Sequence, residues 1–171
     1  MASPTYSTDP GGETLKTILL VSARTEDHDS LPGIFRGSRW KVQGARTANE
    51  GLKMIRRDHG EISVVICEHS LPDGDWRFLL KQMDKMAMRP SLIVSSRLAD
   101  ERLWADVLSF GAFDLLLGAP FEPDEVLRVT ESAWSAWNRA ARPGAGARIG
   151  PGTARPLADS GPAALVAGSP I

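Results

Sequence analysis

The chain has 171 residues, 42% of them hydrophobic, which is enough for one domain with a sizeable core. Twenty-one acidic against 20 basic side chains give a net charge of −1, so there is no electrostatic case for nucleic acid or an anionic membrane surface as a partner. The single cysteine excludes an internal disulfide, and no segment near the N-terminus is apolar for long enough to be a signal or to span a bilayer; the expected setting is cytoplasmic.

Residues 1–15 are polar with Gly and Pro and are expected to be disordered, leaving a folded domain over 16–142. Thr17-Ile18-Leu19-Leu20-Val21 is a short β-branched apolar run that predicts a buried strand, and it breaks into the charged stretch Ser22 to His28. A helix follows on the stripe Leu31, Ile34 and Phe35, with its regular part expected from near Ser30, because Pro32 clashes inside a helical turn. Residues 40–45 predict a weak strand. Thr47-Ala48-Asn49-Glu50 then reads as a capping box opening a helix with Ala48, Leu52 and Ile55 on its buried face, ended by His59-Gly60.

Residues 62–68, Ile-Ser-Val-Val-Ile-Cys-Glu, form a nearly unbroken apolar run, the pattern of a strand covered on both faces. Leu71-Pro72-Asp73-Gly74-Asp75 is a turn. A helix is expected from Trp76 to about Met86 on Phe78, Leu79, Leu80 and Met83, a strand at 91–95, and an amphipathic helix over 99–110 carrying Leu103, Trp104, Val107 and Leu108. Residues 113–117 give a fifth strand, and Pro123 opens a last helix to about Arg142. Residues 143–171, rich in Gly, Pro and Ala, are expected to form a disordered tail. Five alternations with short links imply an α/β domain with a doubly wound, five-stranded parallel sheet.

In such a sheet ligands and chemistry collect at the carboxyl ends of the strands, which makes Glu68 a functional candidate by position. Cys67, Glu68, His69 and His28 offer mixed metal ligands, but adjacent strand residues point to opposite faces, so no metal site is expected from them. No Gly-rich loop follows the first strand, which argues against a dinucleotide or flavin phosphate site. Arg97 and Arg102 are candidates to pair with acids of a partner, weighed against simple solvation at the surface. Trp104, Trp134 and Trp137 are candidates for an interaction face, each weighed against simple core packing.

The order of strand, acid, three residues, proline and Asp/Gly turn at Glu68 to Asp75 resembles the phospho-acceptor segment of response-regulator receiver (CheY-like) domains. Gly111-Ala112-Phe113-Asp114-Leu115 followed by Pro120-Phe121 is similar to a second motif of that family, with one extra residue before the proline. The resemblance covers roughly residues 16–142 and implies the strand order 2-1-3-4-5. It also implies a phosphorylation site, which is degenerate in this chain. Glu68 stands at the acceptor aspartate, Ser22 and Ala23 replace the acidic pair that holds magnesium, and Gly118 and Ala119 stand where the family has a lysine. Ser95 keeps the family's hydroxyl, and Leu115 occupies its aromatic switch position, with Phe113 the nearest ring.

Phosphoryl transfer to a carboxylate depends on cations that neutralise developing charge, each worth on the order of 3 kcal/mol. With the acids and lysine replaced, magnesium binding and transfer are expected to be lost. Glu26 and Asp27, the nearest substitutes for the missing acids, read rather as residues of the first helical turn. Glu68 then has two readings: a fixed partial mimic, its charge carried outward by about 1.5 Å by the extra methylene, or an inert solvated acid. The expected function is that of a stand-alone, non-enzymatic receiver-like module in two-component (phosphorelay) signalling. It would act by contact with signalling proteins such as a histidine kinase or another regulator, or as a homodimer. Two alternatives stand beside this: a working phospho-acceptor at Glu68 or a neighbour, phosphorylated by a histidine kinase, and small-molecule binding at the strand ends. The resemblance further implies a cis bond into Pro120.

Overall fold

The computed structural model describes residues 16–58, 60–118 and 120–141. The segments 1–15 and 143–171, the His59 helix stop, Ala119 and the bond into Pro120 lie outside the described residues. Strands and helices alternate as β1 (Lys16–Val21), α1 (Thr25–Ile34), β2 (Trp40–Ala45), α2 (Ala48–Arg57), β3 (Ile62–Glu68), α3 (Trp76–Met83), β4 (Ser91–Ser96), α4 (Glu101–Ser109), β5 (Asp114–Leu117) and α5 (Pro123–Ala141). The five strands form one parallel sheet in the order β2-β1-β3-β4-β5, as expected. A two-residue antiparallel ladder, Ser70–Leu71 with Gly74–Asp75, sits between β3 and α3.

Period-two alternation divides the central strands between two apolar layers. Leu19, Val21, Val65, Cys67, Leu92 and Val94 face one side, against Leu52 and Ile55 of α2, Leu79, Leu80 and Met83 of α3, and Val107 of α4. Ile18, Leu20, Val64, Ile66 and Ile93 face the other, against Leu31 of α1 and Val126, Val129 and Ala133 of α5. Each Val, Leu, Ile or Met among these contributes about 1.5–3 kcal/mol when fully buried, which is why β1 and β3 read as nearly unbroken apolar runs. Gly51 lets α2 lie close to β1, since a Cβ there would stand 2.9 Å from the Val21 Cγ2.

Local structure departs from the sequence-based expectation at four places. Helix α1 begins at Thr25 and carries Pro32 inside it, rather than starting near Ser30. The proline forfeits a backbone bond, but a continuous helix buries both Asp27 and Leu31. Helix α3 stops at Met83 rather than about Met86, because the Lys85 and Met86 N–H groups bond the Gln82 and Met83 carbonyls in a tighter turn. Phe78, expected in its buried stripe, is exposed. Helix α4 starts at Glu101 because the Asp100 carboxylate accepts from the Leu103 N–H at 2.7 Å.

The start of α2 is more heavily capped than a simple capping box. Thr47 Oγ1 accepts from the Glu50 N–H, while the Glu50 carboxylate reaches past Thr47 to the Arg46 N–H. The N–H groups of Ala48 and Asn49 donate to the two oxygens of Asp73, at 2.8 and 2.9 Å. Asp73 belongs to the turn after β3, so this cap ties the chain leaving β3 to α2 across the carboxyl edge of the sheet. Partial desolvation pushes the Asp73 carboxyl up. The Asn49 and Ala48 N–H groups, its own N–H and the Asn49 side-chain amide outweigh that and hold it below the ordinary carboxylate range.

Candidate functional site

Glu68 is the last residue of β3 and pairs in register with Ser95 of β4. Strand alternation sends Cys67 into the layer under α2 and α3 and leaves Glu68 on the opposite face, at the carboxyl end of the sheet. Its side chain is only 14% exposed. Glu68, Asp27, Ser95, Ser96, Arg97, Gly118 and Phe121 line a shallow pocket there.

The charges in this pocket are satisfied from within the chain. Arg24 Nε donates to Glu68 Oε1 at 2.6 Å, and the hydrogen bond and charge of Glu68 raise the guanidinium above its ordinary value. Ser22, fully buried, places its hydroxyl 2.7 Å from Asp27 Oδ2 and 3.1 Å from Glu68 Oε2. A hydroxyl has one proton, so two carboxylates share it. Arg97 Nη2 lies 3.9 Å from both Asp27 Oδ1 and Glu26 Oε2. The segment carrying Ser22 and Arg24 is held from both sides: the Arg24 N–H donates to Ser22 Oγ, and Arg46 Nη1 donates to the Ala23 carbonyl and to Thr25 Oγ1. His28 Nε2 meets the Ser22 carbonyl at 2.7 Å. His28 occupies space that Gly44 leaves open, since a Cβ on Gly44 would fall 2.6 Å from His28 Nδ1.

Four of the sequence-identified positions, Ser22, Glu68, Ser95 and Gly118, converge here. Ser22 is in the pocket network, Ala23 beside it is exposed, and Ser95 is buried in the lining, although Glu68 takes its bonds from Arg24 and Ser22. Gly118 packs on Phe121, whose ring carbon would stand 3.1 Å from a Cβ at that position. Ala119 is outside the described residues. Two residues were misread from sequence. Asp27 does not cap α1 from the surface but turns inward and is buried, because the Ser22 hydroxyl and Arg97 offer it partners. Arg97 is an arm of the same network rather than a merely solvated group. Arg24 carried no sequence signal beyond its place two residues after Ser22.

The other candidates separate. Burial pushes the Cys67 thiol well above its ordinary value, and His69 bonds its neighbour Ser70. Among the described residues no group of three or more His, Cys, Asp or Glu is placed to hold a metal ion. Trp137 is core, 2% exposed, and Trp134 is half-buried with the Lys16 ammonium 3.7 Å above its ring. Only Trp104 of the three presents a surface, at 41%, so the three tryptophans do not form one face. Leu115, which the resemblance put at an aromatic switch position, packs into the layer under α4. Among the described residues no helix is long and apolar enough to cross a membrane.

No protein-family profile and no curated protein matches the sequence. Solved structures do match. A response regulator receiver domain protein (CheY-like) from Methanospirillum hungatei JF-1 is 25% identical, with a TM-score of 0.61 over 74% of this chain and 98% of that one. The signal receiver domain of an HD domain-containing protein from Pseudomonas fluorescens Pf-5 is 22% identical, with a TM-score of 0.64 over 72% and 89%. A chain of the CheX-CheY-BeF3-Mg complex from Borrelia burgdorferi is 20% identical, with a TM-score of 0.64 over 77% and 97%.

Proposed function

The chain carries the response-regulator receiver (CheY-like) fold, and on that premise we propose that it is a two-component signalling module acting by protein contact, without phosphorylation of Glu68. The observation that carries this reading is the engagement of Glu68: one oxygen is bound by Arg24 and the other by Ser22. An in-line attack needs a free carboxylate oxygen, flanked by a metal ion and a cation that neutralise the incoming phosphoryl group.

The residues present do not fit a magnesium ion. Magnesium demands near-octahedral oxygen donors and gives up water reluctantly. Here Ala23 supplies no side-chain oxygen, and both carboxylates are already committed to Ser22 and to arginines. Loss of metal and lysine together removes several kcal/mol of transition-state stabilisation, hence several orders of magnitude in rate.

Contact would use the side of the molecule around α4 and β5. Leu98, Trp104 and Leu117 are exposed there at 87%, 41% and 54%, and they are the apolar groups a signalling partner or a second copy would cover. The test is incubation with a small phosphodonor and magnesium, followed by intact mass, for the wild type, Glu68→Asp and Glu68→Gln. The expected result is no phosphoryl adduct on the wild type. An adduct on the wild type and on Glu68→Asp that disappears in Glu68→Gln would establish a working phospho-acceptor instead.

A further inference from the structure

We infer that Arg24 is the resident cation of the acidic pocket, a guanidinium built into the chain that occupies the carboxylate a metal ion would need and latches the segment after β1 onto the end of β3. The inference rests on the reading of this pocket as metal-free and adds the group responsible.

Charge balance is the first argument. Asp27 and Glu68 face the same hydroxyl, and one proton cannot satisfy both, so two negative charges need cations close by. Arg97 approaches Asp27 only at 3.9 Å, whereas Arg24 binds Glu68 at 2.6 Å. Arg97 is shared between Asp27 and Glu26, so Glu68 draws its charge partner from Arg24. A divalent ion would therefore enter only by expelling Arg24 from Glu68.

Preorganisation is the second. Arg24 does not reach Glu68 from a free surface strand of chain. Its own N–H is fixed to Ser22 Oγ, the hydroxyl that also contacts Glu68, so main chain and side chain of one residue grip the two sides of one hydrogen-bonded ring. Arg46 holds the flanking Ala23 carbonyl and Thr25 hydroxyl, and His28 holds the Ser22 carbonyl in the space left by Gly44. Ordering costs that would weaken an ordinary exposed pair are thereby met by neighbouring bonds.

Competition between an internal cation and an external one is reciprocal, so removing the first must strengthen the second. The probe is Mn²⁺ alone, read as paramagnetic broadening of amide signals of Ser22 to Asp27 and Glu68 to Ser70, on the full chain. The variants are wild type, Arg24→Ala, Arg24→Gln, Arg24→Lys, and Arg24→Ala with Glu68→Gln. The expected result is weak, non-selective broadening in the wild type and Arg24→Lys. In Arg24→Ala and Arg24→Gln, Mn²⁺ binding should be tighter by on the order of tenfold or more, and Glu68→Gln should abolish that gain. Amide exchange at Ser22 to Thr25 should also quicken in both neutral variants without metal, a readout independent of the ion. Strong pocket broadening in the wild type, matching that of Arg24→Ala, would bring down the metal-free reading itself. Unchanged exchange and equal Mn²⁺ response in wild type and both neutral variants, all weak, would bring down the role of Arg24 alone.

Discussion

Replacing Asp73 by alanine tests the link between the turn after β3 and helix α2. The carboxylate takes the first two N–H groups of α2, a share of the orphan donors that no residue of the helix itself can satisfy, and a third bond from the Asn49 side chain. A single cap is worth about 0.5–2 kcal/mol, and solvent around this exposed carboxylate keeps each bond towards the low end. Two backbone bonds together then give a loss of about 1–2 kcal/mol, or roughly 4–8 °C in Tm for a domain of this size. Asparagine keeps one acceptor oxygen and should lose about half as much. The pH dependence has a definite sign. The Asp73 carboxyl is held below its ordinary range in the folded protein, so its contribution is fully present above the unfolded value of about 3.9 and disappears as pH falls through the lower folded value. Urea unfolding of wild type, Asp73→Asn and Asp73→Ala at neutral pH should rank them in that order. The gap between wild type and Asp73→Ala should narrow progressively below about pH 4. A loss below about 0.5 kcal/mol, or one that is the same at acid and neutral pH, would refute the trans-cap.

Three further outcomes follow from packing. Gly44→Ala should cost about 1–2 kcal/mol in urea unfolding, because the new methyl displaces the His28 ring and its bond to the Ser22 carbonyl; adding His28→Ala should recover part of the loss, and a fully additive double variant would show that the two do not meet. Trp137→Ala should lose about 3–5 kcal/mol, whereas Trp104→Ala should stay within about 0.5 kcal/mol by the same assay. Cys67 should resist a thiol reagent in the native protein and react at the rate of global opening, since its sulfur is fully buried and its thiolate is suppressed; fast labelling under native conditions would show an opening that exposes β3.

Patterns with a short period were legible without coordinates. The apolar runs at β1 and β3 and the Thr47 start of α2 determined the doubly wound parallel sheet, because burial on both faces of a strand demands an unbroken apolar run. The same reading placed Glu68 at a strand end, and the resemblance to receivers implied that Ser22, Ala23 and Gly118 stand at degenerate positions of the pocket. It did not find the partners of Glu68. Nothing in the stretch Ser22 to Asp27 distinguishes an arginine that folds over a neighbouring strand from one in water, or a first-turn aspartate that caps from one that turns inward. Likewise, helical spacing put Phe78 in the apolar stripe of α3 and left Trp134 and Trp137 between core and surface, and only the packing of α3 on α2 and of α5 on the sheet exposed Phe78 and buried Trp137. Local sequence determines which faces are apolar, because that depends on neighbours a few residues away. Which charges meet depends on loops from β1, β3 and β4 arriving together at one edge of the sheet, a distance decided only when the whole chain has folded.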